Sequence, residues 1–193
     1  MGNREKLVDA AQTVLIEGQG HLEMQAVAKR AGVSVGLAYH HFGSKAGLIS
    51  AVVEAFYSQL DEAIFGDPKW PFKSWEEKEK GRIGAYVAFH YAHPFARLVI
   101  GPLSRAPEVL DVEAAFTNRQ LSGGAKMLIS AQDGGVVPKE IDPHLTIALM
   151  IGGIRQALIH AMTQTPQTDP GKLTDEIWAF IAAALRLHTT PAT

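Results

Sequence analysis

Leu7, Ala11, Val14 and Leu15 recur at the three- and four-residue spacing of one helical face, in a helix from about Arg4 that Gly18 and Gly20 end. A shorter run from Met24 to Ala31 turns Val27, Ala28 and Ala31 inward, and Gly32 supplies the left-handed position that closes it. Ser34 then caps a two-turn helix from Val35 to Phe42, and Gly43-Ser44 ends that helix while Ser44 caps the next. Ile49, Val52, Val53, Phe56, Leu60 and Ile64 draw one stripe along a long fourth helix that stops at Gly66-Asp67-Pro68.

Beyond Pro71 the helices become longer and carry fewer charges. Ser74-Trp75-Glu76-Glu77 has the form of a capping box, and the helix it opens ends near His93 because Pro94 follows. The spacing predicts a short helix from Pro94 to Leu103, broken by Gly101-Pro102, and another from Pro107 to about Gln132, where Asp133-Gly134-Gly135 ends it. Asp142-Pro143 opens a helix through about Gln164, and Asp169-Pro170 opens a last one through about His188, with a frayed tail from Thr189 to Thr193. Strand-like alternation is absent from the sequence. The fold class is therefore all-α, with about nine helices.

Composition narrows the chemistry. With 193 residues, 47% hydrophobic and 20% charged, the chain has the make-up of an ordinary globular protein able to bury a core. It has no cysteine, which excludes disulfides, thiolate metal sites and cysteine nucleophiles and makes a reducing cytosol the expected setting. The charged N-terminus is not followed by an apolar run of signal-peptide length, so secretion is not expected. The net charge of -2 argues against nucleic-acid binding by bulk positive charge. Residues 1 to 48 are only weakly basic, with Arg4, Lys6, Lys29, Arg30 and Lys45 against Glu5, Asp9, Glu17 and Glu23.

Two short helices joined by a glycine turn, preceded by one helix and followed by a long one, are the layout of a helix-turn-helix head. The run VAKRAGVSVGLAYHHFGSKAGLI resembles the N-terminal signature of TetR-family transcriptional regulators, and the likeness reaches back to about Arg4. It implies a DNA-binding head over residues 1–48 and an effector-binding, dimerising body over 49–193. It also implies that the third helix enters the major groove, where Val35, Gly36 and Leu37 stand at its base-facing end and the capping Ser34 joins them among the DNA-binding residues. Gln25 matches a base-contacting position and can pair with adenine. Tyr39, His40, His41 and Lys45 would direct polar ends at phosphates, together with the N–H groups that start the fourth helix. The sequence departs from the commoner pattern at Glu23, where a serine or threonine often caps, and at Leu37-Ala38 in place of Thr-Leu.

The other candidate chemistry is sparse. His90 and His93, with Tyr86 a turn earlier, have acceptable metal spacing but lack further ligands, so no metal is expected. Catalytic and phosphate-loop motifs are missing, and neither enzymatic activity nor a cofactor is expected. The eighth helix is apolar nearly all round and has membrane-span length, but Gly152, Gly153, Arg155, Gln156 and His160 suit a helix buried between its own core and a partner subunit. The ninth carries apolar residues including Ile177, Phe180 and Ile181, so the resemblance implies a homodimer interface through Gly152, Gly153, Ile177 and Ile181. An effector pocket would draw on Tyr86, Phe89, His90, Phe95, Phe116, Arg155 and His160. The function the resemblance implies is a cytoplasmic, ligand-responsive repressor that binds a near-palindromic stretch of double-stranded DNA as a homodimer and is released by a small molecule. The alternative is a helical small-molecule binder or enzyme that keeps the head as structure only.

Overall fold

The computed structural model describes residues 2–66 and 72–187. Among them lie nine α-helices, one short 3-10 helix and no strand: α1 Asn3–Glu17, α2 Met24–Ala31, α3 Val35–Phe42, α4 Lys45–Phe65, α5 Trp75–Ala92, α6 Ala96–Ile100, the 3-10 helix Pro102–Arg105, α7 Pro107–Asp133, α8 Pro143–Thr163 and α9 Pro170–Ala184. Local chemistry fixes most of these limits. Asp142 caps α8 by accepting from the His144 and Leu145 N–H groups at 2.8 and 3.0 Å, and Asp169 caps α9 through the Lys172 N–H at 2.8 Å. At α5 the Glu77 N–H donates to Ser74 Oγ at 3.2 Å, while the Glu77 carboxylate reaches back to the Lys73 N–H at 2.8 Å. The reciprocal bond of the expected capping box therefore falls one residue earlier than Ser74.

The expected end of the last helix near His188 needs correction. The helix stops at Ala184, because Leu185 caps it and Arg186 turns into a left-handed conformation with φ 53°. His188 and the tail beyond it lie outside the described residues.

The chain folds as two compact units, one comprising residues 1–62 and 92–116, the other residues 63–91 and 117–193. The boundary expected after residue 48 falls inside the first unit, because Leu48, Ile49, Val52, Val53 and Phe56 of α4 are buried along with Leu7, Leu15, Val27 and Ala38. Fully burying a side chain of this size contributes about 1.5–3 kcal/mol. Ser50 Oγ donates to the Glu108 carbonyl at 2.5 Å, which ties α4 to the first turn of α7 within that unit. In the second unit Val87, Leu128, Leu158, Ile181 and Leu185 are buried, and α8 packs on α9. A Cβ on Gly124 would come within 2.9 Å of the Ile147 side chain, so glycine there permits close approach of α7 and α8.

Candidate nucleic-acid interface

α1, α2 and α3 pack on one another in the first unit, and the α2–α3 turn is held by backbone geometry. Gly32 takes φ 68° and ψ 34°, and the Val33 N–H donates to the Ala28 carbonyl at 3.0 Å, a left-handed cap that only a residue without Cβ adopts cheaply. Ser34 Oγ accepts from the Leu37 N–H at 3.2 Å and so starts α3. Ala38 is completely buried and anchors α3 to the head. One arc of α3 faces out, with Gly36, Tyr39 and His40 at the i, i+3 and i+4 positions of one helical face. Tyr39 keeps 46% of its surface exposed although it is large and partly apolar.

The other sequence-predicted residues lie on α2, on α3 and at the start of α4. Gln25 is exposed in the first turn of α2; Val35 and Leu37 are half-buried beside Gly36; His40 and His41 are exposed, their rings edge to face at 5.8 Å. Lys45 is exposed at the first position of α4, where Ser44 Oγ accepts from the Gly47 N–H at 3.0 Å. The start of an α-helix carries partial positive charge and favours an anion. Gly47 is required by packing, since a Cβ there would collide with the Phe42 carbonyl oxygen. Arg4 lies over the Phe42 ring at 5.5 Å and Arg30 pairs with Glu17 at 2.6 Å, while the head's other cations, Lys6, Lys29 and Lys45, are exposed. Glu23 occupies the N-cap of α2 with extended backbone, but its carboxylate makes no capping hydrogen bond and stays exposed.

The residues expected to form an effector pocket divide between the two units. In the first, Phe95 is fully buried and meets Phe56 edge-on at 6.1 Å, and Phe116 stacks on Tyr57 at 4.1 Å. In the second, buried His90 donates its Nδ1–H to the Tyr86 carbonyl at 2.8 Å, with the two rings 4.3 Å apart and Phe89 adjacent at 5.8 Å. Arg155 is half-buried. His160 is exposed, with Nδ1 at 3.4 Å from Gln164 Nε2. His93 lies in the first unit. Its Nδ1 accepts from the Phe95 N–H at 3.2 Å, its Nε2–H donates to Gln59 Oε1 at 3.3 Å, and burial holds its pKa below the ordinary histidine value. Among the described residues no group of three potential ligands could hold a metal.

Sequence reasoning missed one polar cluster. Glu79 is buried in the second unit and pairs with Arg82 at 2.6 Å; burial raises its pKa, and the Arg82 charge opposes that rise. Arg82 also donates to Met127 Sδ at 3.0 Å and lies over the Phe65 ring at 5.2 Å. The i, i+3 spacing of Glu79 and Arg82 was the available signal.

The four residues expected at a subunit interface divide between surface and core. Gly152 and Gly153 are exposed, and a Cβ on either would meet nothing within 4 Å, but Ile177 and Ile181 are only 6% and 1% exposed and belong to the unit's own core. The outward apolar side chains are Leu145, Leu149 and Phe180, at 61%, 66% and 66% exposure. On α8 the exposed Leu145, Leu149, Gly152, Gly153, Gln156 and His160 share one face, as do Glu176, Ala179, Phe180 and Ala183 on α9. By length and composition α8 could cross a membrane, yet this face breaks its apolar surface with Gln156 and His160.

Residues 7–52 match the family model of bacterial regulatory proteins of the tetR family. The chain is 37% identical over 62 residues to the HTH-type transcriptional regulator BetI of Stenotrophomonas maltophilia (strain R551-3), covering 32% of each chain. It is 45% identical over 64 residues to BetI of Rhizobium meliloti (strain 1021), covering 32% of this chain and 31% of that one. The matched region thus spans about a third of the length of these curated relatives. Similarity of fold extends over nearly the whole chain. SmeT, the repressor of the Stenotrophomonas maltophilia multidrug efflux pump SmeDEF, superposes with a TM-score of 0.79 at 18% identity, covering 98% of this chain and 93% of SmeT. The fatty acid degradation regulator FadR from Bacillus halodurans gives 0.78 at 19% identity, covering 97% and 98%.

Proposed function

From the match of residues 7–52 to the tetR family of bacterial regulatory proteins, we propose that the chain is a member of that family and a DNA-binding transcriptional regulator whose head, residues 1–48, contacts a near-palindromic operator. The observation that carries this reading is the outward arc of α3: Gly36, Tyr39 and His40 stand exposed on a helix anchored from behind by Ala38, with Lys45 at the next helix start. A helix held in this way can lie in the major groove, its N-terminal end toward base edges and its polar tips toward phosphates. Gln25 supplies a side chain able to pair with adenine. A head kept as structure alone, as in an enzyme or a plain small-molecule binder, gives no reason for this exposed tyrosine and histidine arc.

The body, residues 49–193, dimerises through the outward faces of α8 and α9. Leu145, Leu149 and Phe180 supply apolar contact, and Gly152 and Gly153 allow close approach of a second copy. Two heads related by two-fold symmetry then meet two half-sites. The protein acts in the cytoplasm as a repressor, not as an enzyme, and a small-molecule effector favours a body conformation that releases DNA. Such an effector must bind the two states with different affinity. At a hundred times its dissociation constant it stabilises the protein by about 2.7 kcal/mol, which thermal-shift screening detects. The direct test of DNA binding is selection of duplexes from a random pool, followed by a mobility-shift titration. Recovery of a two-fold symmetric motif is expected, and an unenriched pool overturns the reading.

A further inference from the structure

We propose that the bare turn at Gly36 is a specificity notch, which admits the 5-methyl group of one thymine in each half-site. The proposal rests on the DNA-binding reading above and adds what the recognition helix reads. The fold explains the neighbouring glycines but not this one. Gly32 and Gly43 take φ of 68° and 71°, and a Cβ on Gly47 would strike the Phe42 carbonyl oxygen. Gly36 has none of these reasons: a Cβ there would meet only Ser34 Oγ, at 3.9 Å, and the backbone is ordinary α-helix. A glycine inside a helix is destabilising relative to alanine, so at this position the head is less stable than it could be with no gain in packing.

What the missing side chain creates is a strip of uncovered backbone. It lies on the exposed arc, one turn before Tyr39 and His40. The flanking Val35 and Leu37 side chains have no hydrogen-bonding group, and the Ser34 oxygen already accepts from the Leu37 N–H. The Val35 and Leu37 side chains of this turn therefore offer a base edge apolar contact only. Of the groups displayed in the major groove, the thymine methyl is the one that gains from contact with the apolar Val35 and Leu37 side chains beside a sterically open turn. A side chain as small as alanine would occupy the volume that the methyl needs.

The experiment uses the full-length protein and the duplex selected by it from a random pool. Each thymine is replaced in turn by deoxyuridine, which deletes only the methyl, and affinities are measured for wild type and Gly36→Ala. At one thymine per half-site the replacement weakens wild-type binding about fourfold, and about fifteenfold when made in both half-sites. Gly36→Ala binds the thymine duplex about tenfold or more weakly and shows no preference for thymine over deoxyuridine at that position. Its melting temperature stays level or rises by about 1–4 °C, which separates a filled notch from a damaged fold. Equal affinity of wild type for thymine and deoxyuridine at every position overturns the notch while leaving DNA binding intact, as does an unaltered thymine preference in Gly36→Ala. Failure of the wild type to select any duplex overturns the parent reading, and the notch with it.

Discussion

Replacing Leu149 by alanine should separate the dimer while leaving each subunit folded. Leu149 is 66% exposed on the outer face of α8, beside Leu145 and in line with Gly152 and Gly153. Burying a whole leucine side chain contributes about 1.5–3 kcal/mol, so covering the exposed two-thirds contributes about 1–2 kcal/mol. In an isologous interface each contact occurs twice. The substitution then costs about 2–4 kcal/mol of association, or about 30- to 1,000-fold in the dimer dissociation constant. Sedimentation from nanomolar to micromolar concentration reads that shift directly. The matching control is Ile177→Ala on α9, which is only 6% exposed. It should open a cavity and lower folding stability by about 2–5 kcal/mol through the core. A dissociation constant unchanged in Leu149→Ala would refute the placement of the interface on this face.

Three further outcomes follow from single positions. Gly47→Ala should lower stability by about 1–3 kcal/mol in a denaturant titration, because its Cβ collides with backbone at the α3–α4 junction; an unchanged midpoint would contradict the geometry. Glu23→Gln should tighten operator binding about two- to fivefold at low salt and less at high salt, since the carboxylate makes no cap and faces solvent at the start of α2; equal affinity at all salt concentrations would place Glu23 away from the phosphates. For His93 the folded state favours the neutral ring, so the unfolded state takes up the proton first. Its contribution to stability is complete above about pH 6.5 and declines as pH falls from there toward its lower folded-state pKa. In His93→Gln that part of the pH dependence should vanish, and a melting curve with the same pH profile as wild type would assign the titration elsewhere.

The helix-turn-helix was legible because its limits are written in local chemistry. Gly32 is needed for a left-handed cap and Ser34 accepts a backbone N–H at the start of α3, as Asp142 and Asp169 do at the starts of α8 and α9. The end of α9 was not legible, since Arg186 adopts positive φ with no glycine to announce it. The outward faces of α8 and α9 were half legible for a different reason. Apolar periodicity shows that α9 is apolar on several sides, but it does not say which side meets the subunit's own core; Ile177 and Ile181 turn inward and Phe180 outward. Among the aromatic residues of the candidate pocket, Phe95 meets Phe56 and Phe116 stacks on Tyr57, contacts that sequence spacing does not encode.

If two copies of this chain place their α3 helices on the two halves of one DNA site, the salt dependence of operator affinity for wild type and Lys45→Ala, read beside the footprint, tests that arrangement most directly. Removing one phosphate contact flattens the log–log slope by about 0.9, and a two-fold dimer gives up one at each Lys45. Protection of two symmetric half-sites by the wild type is expected, with a slope shallower by about 1.8 in the variant. Protection of a single asymmetric half-site, or the same slope in both proteins, would contradict it.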